Sequence, residues 1–156
     1  MAVYTKFTEE NIKSILSQYS IGELNNFSGI QEGIENTNYF LLADNKKYIL
    51  TIYEKRVKKE DLPFFSGLMS DLNKFGFKCP VPILNKKNKA ISEFNNKKLM
   101  IVSFIEGKAK NILSPENCKS IGKEAAKMHE ITKNFRIKRK NDLSIISWRK
   151  IFNSVK

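Results

Sequence analysis

Apolar and polar residues change period several times along the chain, and each change marks an element. Glu9 and Glu10 precede Ile12, Ile15, Leu16 and Tyr19, which recur at helical spacing. Thr8 suits an N-cap, and the two acids suit the positive end of a helix dipole. The pattern therefore predicts a helix over about residues 8 to 20, with Gly22 as its C-terminal cap, packed on the sheet that follows. The period then drops to two. Phe27 to Tyr53 reads as three consecutive strands, in which Tyr39, Leu41 and Ala43 alternate with Phe40, Leu42 and Asp44, and Tyr48, Leu50 and Ile52 alternate with Ile49, Thr51 and Tyr53. Asp44-Asn45-Lys46 is hairpin-turn chemistry, because Asp and Asn tolerate the left-handed backbone that such turns need. The connection between the first two strands, Glu32-Gly33-Ile34-Glu35-Asn36-Thr37-Asn38, is longer and polar. It reads either as an ordinary link or as a loop folded over an anion, offering backbone N–H groups and Thr or Asn side chains to phosphate oxygens.

Glu54 to Glu60 is a charged connection, after which Asp61 is expected to cap a helix that carries Pro63 in its first turn. Leu62, Phe65, Leu68, Met69, Leu72 and Phe75 form its apolar stripe, which ends at Gly76. Cys79-Pro80-Val81-Pro82 forces an extended segment. Ile83-Leu84 and Ala90 to Phe94 flank a polar turn, and Lys98 to Phe104 is a strongly apolar strand, which extends the sheet to about five strands. Phe104 to Gly107 forms a short hinge. Ser114-Pro115-Glu116 opens a further helix with Cys118, Ile121, Ala125, Met128 and Thr132 on one face. Leu143 to Val155 begins another helical pattern that meets Lys156 with no stop signal, which reads as a truncated chain.

Composition narrows the function classes. The 156 residues, 41% hydrophobic with 11 Phe, suffice for one ordinary core. A formal charge of +12 invites a nucleic-acid partner, but Arg stands only at positions 56, 136, 139 and 149 and the Lys residues are scattered. The one dense run, Arg136 to Lys140, reads as a solvated loop. Cys79 and Cys118 are too few and too far apart for a disulfide framework or a metal site, which favours a reducing compartment. No apolar signal region or membrane-length run is present, so the expected address is cytoplasmic, with no membrane partner. His129, the only histidine, is expected to be a packed or hydrogen-bonded side chain rather than a base.

The element order is that of a protein-kinase-like small lobe joined to a helical lobe. More specifically, GIQEGIENTNYFL, KYILTIYEKRV, DLPFFSGLM, FGFKCPVPI, IVSFIEG and IGKEAAKMHEIT resemble the amino-terminal half of homoserine kinases of the aminoglycoside-phosphotransferase-like type, over essentially the whole chain. The resemblance implies an α+β fold: residues 1–106 as the nucleotide-binding small lobe, and 107–156 as the hinge exit and first helices of an incomplete large lobe. It also implies ATP and Mg²⁺ as cofactors and L-homoserine as the acceptor, phosphorylated to O-phospho-L-homoserine on the way to threonine. In this arrangement Glu32, Gly33, Glu35, Asn36, Thr37 and Asn38 would lie over the phosphates, main-chain groups of Ser103, Phe104 and Ile105 would hold the adenine, Ile49 would touch the base, and Thr51 would sit nearer the phosphates.

Two departures accompany the resemblance. Most kinase-like folds carry a cation where Thr51 stands, so Lys47, Lys55 or Arg56 would have to replace it, and Asp71 is the only internal acid of the following helix. The family's catalytic His-Gly-Asp loop and later metal-binding Asp have no match here, so neither a catalytic nor a metal-binding residue is expected in this chain. Two other readings stay open: a phosphotransferase for an aminoglycoside or choline-type acceptor, and a non-enzymatic basic binding module. The 156-residue chain alone is expected to release no ADP when given ATP and L-homoserine in a coupled assay; turnover would refute the missing-half reading.

Overall fold

The chain is described by a computed structural model that covers residues 4–54, 57–142 and 144–154. Helix α1, Glu9–Leu16, starts where its cap chemistry predicts: the Thr8 hydroxyl accepts from the Asn11 N–H at 3.3 Å, and the Asn11 side chain accepts from the Thr8 N–H at 3.1 Å. It ends earlier than periodicity suggests, at Ser17, and Gly22 is not its cap. Gly22 has φ +88°, and a Cβ there would fall 1.9 Å from the Asp44 carboxyl group, whose Oδ1 accepts the Glu23 N–H at 3.1 Å. Gly22 is thus required by a close approach to a distant hairpin turn.

Five antiparallel strands follow, β1 (Leu24–Ile30), β2 (Thr37–Ala43), β3 (Lys46–Ile52), β4 (Ser92–Phe94) and β5 (Lys97–Ser103), ordered β1-β2-β3-β5-β4. Asp44 and Asn45, with φ of 44° and 59°, close β2–β3 as a tight turn, as their chemistry predicts. Asn95 and Asn96 make the same kind of turn between β4 and β5, with φ of 48° and 61°. Ile83-Leu84 does not form a strand of the sheet; Pro82 bridges to Val102, and the Ile83 N–H reaches the Ile101 carbonyl at 2.8 Å.

One sheet face makes the core. Tyr39, Leu41 and Ala43 of β2, Tyr48, Leu50 and Ile52 of β3, and Leu99 and Ile101 of β5 pack with Ile12, Ile15, Leu16 and Tyr19 from α1 and the turn after it. Complete burial of one such aliphatic side chain contributes about 1.5–3 kcal/mol, so this face accounts for much of the lobe's stability.

Helix α2, Leu62–Lys74, follows a 3-10 turn at Lys59–Asp61. Asp61 makes no capping bond; its carboxylate accepts instead from Arg139 Nε at 2.8 Å. The helix ends near Gly76, where φ is +71° and the Phe77 N–H returns to the Leu72 carbonyl at 3.0 Å. Phe75 is exposed rather than part of the packed stripe. Helix α3, Pro115–Thr132, is capped by Ser114 and Asn117, and α4 spans Ile145–Asn153. On α3 the expected apolar face is open at its start, where Cys118 and Ile121 are exposed, and half-buried at Ala125, Met128 and Thr132. Leu143, Val155 and Lys156 lie outside the described residues.

The basic run is not a free loop. Phe135 meets Phe64 at 5.7 Å between ring centroids, a Cβ on Gly67 would come within 2.9 Å of Ile137, and Arg139 sits 5.3 Å over the Phe65 ring. Alternate residues of the segment therefore dock on α2.

Replacing Leu50 by Ala should lower stability by about 2–5 kcal/mol through transfer and cavity terms. Gly22→Ala should lower it by about 1–3 kcal/mol through left-handed strain and the Asp44 clash. Urea unfolding of each variant measures both.

Candidate functional site

The strand period that buries one sheet face sends the other set of side chains to the opposite face. There Asn38, Phe40 and Leu42 of β2 and Ile49 and Thr51 of β3 are only half-buried. Cross-strand pairing aligns them in rows: Phe40 opposes Ile49, which opposes Val102, and Asn38 opposes Thr51, which opposes Met100. The first row is apolar and the second is partly polar. Phe104 extends the apolar row, its ring edge-on to Phe40 at 5.7 Å. In the polar row the Thr51 hydroxyl donates to Asn38 Oδ1 at 2.8 Å. Ile49, Thr51 and Asn38 thus share one surface, and strand parity adds Phe40 to it.

The loop that precedes β2 leads into the Asn38 end of this face. Glu32, Gly33 and Glu35 are exposed, and Gly33 takes φ +110°, which frees the backbone to turn back on itself. Asn36 is tied down, its Oδ1 accepting the Glu54 N–H at 3.4 Å. Thr37 departs from the expectation. It is the first residue of β2, lies fully buried on the core side, and its oxygen accepts the N–H groups of Tyr4 and Thr5 at 3.0 Å each while donating to Glu54 Oε1 at 2.8 Å. A hydroxyl so engaged cannot reach a ligand over the opposite face.

The hinge is also narrower than expected. The Ser103 N–H is held by the Val81 carbonyl at 2.9 Å and the Phe104 N–H by the Lys47 carbonyl at 3.2 Å. The Ser103 hydroxyl accepts the Val81 N–H at 2.9 Å. Of Ser103, Phe104 and Ile105, Ile105 alone has an N–H for which the described residues supply no acceptor.

Of the expected replacement cations, Lys47 stands at the hinge end, paired with Glu106 at 2.5 Å and 5.6 Å over the Phe104 ring. Three residues, Tyr48 to Leu50, separate it from Thr51, so it stands at the other end of the face from Thr51 and Asn38. Lys55 and Arg56 lie outside the described residues. Asp71 points toward α3, where it lines a cavity with Phe75, Glu130, Ile131 and Asn134. Among the described residues no group of three His, Cys, Asp or Glu side chains is placed to hold a metal ion, and no helix is long and apolar enough to cross a membrane.

A polar cluster that sequence reasoning missed borders the same end of the sheet. Glu54 Oε1 accepts from the hydroxyls of Thr5 and Thr37, and Oε2 from Lys97 Nζ at 2.5 Å. Burial works to raise the Glu54 carboxyl, but these hydrogen bonds and the Lys97 charge outweigh it and hold the group below the usual carboxylate range. Its partners Thr5, Thr37 and Lys97 come from three separate pieces of chain, with no periodic signal to join them. Tyr53 continues the face of Ile49 and Thr51, and burial pushes its phenol up to about 12.

Residues 26–147 match the phosphotransferase enzyme family. The chain belongs to that family. Among its relatives are homoserine kinases of Methylobacterium radiotolerans, 41% identical over 97% of this chain and 47% of the relative, and of Beijerinckia indica, 39% identical over 100% of this chain and 49% of the relative. The chain therefore spans about half the length of the relatives it matches. Its fold is similar to a spectinomycin phosphotransferase solved with ADP and spectinomycin, at TM-score 0.68 and 18% identity over 96% of this chain and 46% of that one. A microcompartment-associated aminopropanol kinase matches at TM-score 0.69 and 11% identity over 91% of this chain and 48% of that one. The five-stranded α+β unit of this family member is thus a kinase-like small lobe.

Because the Tyr53 phenol is raised above its unfolded value near 10, its contribution to stability is complete below about pH 10 and lost as pH climbs toward 12. Tyr53→Phe should remove that part of the alkaline decline, read from denaturant midpoints at stepped pH.

Proposed function

We propose that this chain is the amino-terminal half of a homoserine kinase, which transfers the γ-phosphoryl group of ATP to the side-chain hydroxyl of L-homoserine and yields O-phospho-L-homoserine for threonine synthesis. The observation that carries this reading is 39–41% identity to proteins of that name over nearly the whole chain. On this reading residues 1–106 are the nucleotide lobe, and 107–156 are the hinge exit with the first helices of the second lobe.

The open sheet face suits a nucleotide. Phe40, Ile49 and Phe104 offer apolar contact for a flat base, and the Ile105 N–H offers a main-chain donor at its edge. The polar row of Thr51 and Asn38 and the loop of Glu32, Gly33, Glu35 and Asn36 would take the phosphate end, with Gly33 allowing close backbone approach. Thr37 is left out of this set because of its buried hydroxyl. Phosphoryl transfer works by positioning and charge neutralisation, so this lobe would hold and orient ATP while the acceptor and the general base lie elsewhere. Mg²⁺ would accompany ATP, and no ligand for it is assigned on this chain. The two cysteines are free thiols, which fits the reducing cytoplasm proposed as its address.

A second acceptor class, such as an aminoglycoside or choline, stays compatible with the fold alone. A basic nucleic-acid module is less well supported, because Lys13, Lys47, Lys58, Lys97, Lys98 and Lys133 are paired with acids on different elements rather than aligned in a stripe.

The deciding experiment is coupled ADP release by the gene's full-length product with L-homoserine, L-serine, choline and an aminoglycoside. Homoserine-dependent turnover well above the other acceptors is expected; preference for another acceptor would overturn the substrate assignment and leave the family intact.

A further inference from the structure

The Glu54 carboxylate joins pieces that are far apart in sequence. It sits just past the end of β3 with its side chain only 12% exposed, and it accepts the Thr5 hydroxyl at 2.5 Å, the Thr37 hydroxyl at 2.8 Å and Lys97 Nζ at 2.5 Å. Through Thr37, whose oxygen also takes the Tyr4 and Thr5 N–H groups, it straps the amino-terminal segment to the start of β2. Tyr39 adds a second stitch, donating to the Thr5 carbonyl and accepting the Phe7 N–H, both at 2.9 Å. The strap holds the loop before β2 at two points. The Tyr4 hydroxyl donates to the Ile34 carbonyl at 2.9 Å, and the Glu54 N–H donates to Asn36 Oδ1.

Among the described residues, packing does not call for an ionised carboxylate that is only 12% exposed and has both oxygens engaged. Packing alone would be served by an apolar side chain, because a buried charge that has lost a partner is expensive and a well-packed hydrophobe is not. The arrangement does one thing an apolar plug cannot: it converts the ends of three strands into a fixed frame for a short polar loop that has no buried side chain of its own. A loop that must receive phosphates gains affinity from being ordered beforehand, since the ordering cost is then not met at binding.

We propose that Glu54 is a positioning residue for nucleotide binding, which acts through Thr5, Thr37 and Tyr4 to preset the loop of residues 31–36. This rests on the reading that the loop lies over the phosphates. Glu54 itself touches no ligand in this scheme, and its carboxylate stays on the core side of the sheet.

Hydrogen exchange on the 156-residue chain, with and without ATP and Mg²⁺, tests the strap directly. In Glu54→Gln and in the milder Thr5→Val, which leaves the Glu54–Lys97 pair intact, amides of residues 33–37 should exchange about tenfold faster while those of β3 and β5 keep their wild-type rates. Glu93→Gln, which removes an ion pair with Lys98 outside the network, should change neither. In the full-length enzyme, Glu54→Gln should raise the KM for ATP about fivefold, with kcat and the acceptor KM within about twofold. Unchanged loop exchange overturns the proposal, and so does equal acceleration of loop and core, which would make Glu54 merely structural. A faster loop with an unchanged KM for ATP overturns it as well. Failure of the unsubstituted chain and enzyme to respond to ATP at all would sink the nucleotide reading, which the loop exchange of the variants distinguishes from failure of the strap.

Discussion

Strand β3 carries the constraint on which the rest depends. It is paired on both edges, with β2 and with β5, so its register is held from two sides. Its side chains alternate, and the burial of Tyr48, Leu50 and Ile52 against α1 decides which way they point. Once that face is filled, Ile49 and Thr51 have nowhere to go but the opposite face. A slip of one residue would exchange the two sets and cost both the core and the site at once. The same burial that stabilises the sheet therefore also sets out its open face, and no separate device is needed to display Ile49 beside Thr51.

Much of this was legible because local chemistry and tertiary structure agree. The alternation along β2 and β3, the Asp44-Asn45 turn, the caps at Thr8 and Ser114 and the stop at Gly76 all rest on residues within a few positions of one another. What could not be read depends on distant partners. Gly22 looks like a helix cap until Asp44 is brought against it, and Asp61 looks like a cap until Arg139 takes its carboxylate. Arg136 to Lys140 looks solvated because its charge hides the alternation of Phe135, Ile137 and Arg139 that docks on α2. Asn95-Asn96 was lost in a Lys- and Asn-rich background. In the site, Ile49 and Thr51 follow from parity. Parity counted back from Tyr39 also assigns Thr37 to the core, a signal that its place in a polar loop obscured. The donors of Ser103 and Phe104 are taken by Val81 and Lys47, which no spacing rule connects to them.

Thr51 gives the site its chemical character. It brings a hydroxyl, held by Asn38, to a position where a cation is the common solution in kinase-like folds. A hydroxyl orients but does not neutralise, so under the proposed nucleotide reading the opposing charge would have to come from other groups. The two parts of the chain differ in burial: the sheet and α1 enclose their apolar residues, whereas α3 and α4 have no buried residue among those described, and Ile121, Ile145 and Ile146 are exposed.

The strand order also separates local pairings from distant ones. The β2–β3 and β4–β5 ribbons each close over two left-handed residues, so they meet little entropic resistance and can zip locally. The pairing of β3 with β5 is another matter, since Tyr48 must find Ser103 across the whole of α2 and the proline-rich segment. That long closure gains nothing until both ribbons exist as templates, and it has the highest contact order in the sheet. Until it is made, the edge of β3 that ends up in the middle of the sheet is an open one, which is where a nascent chain of this protein is most exposed to pairing with a neighbour.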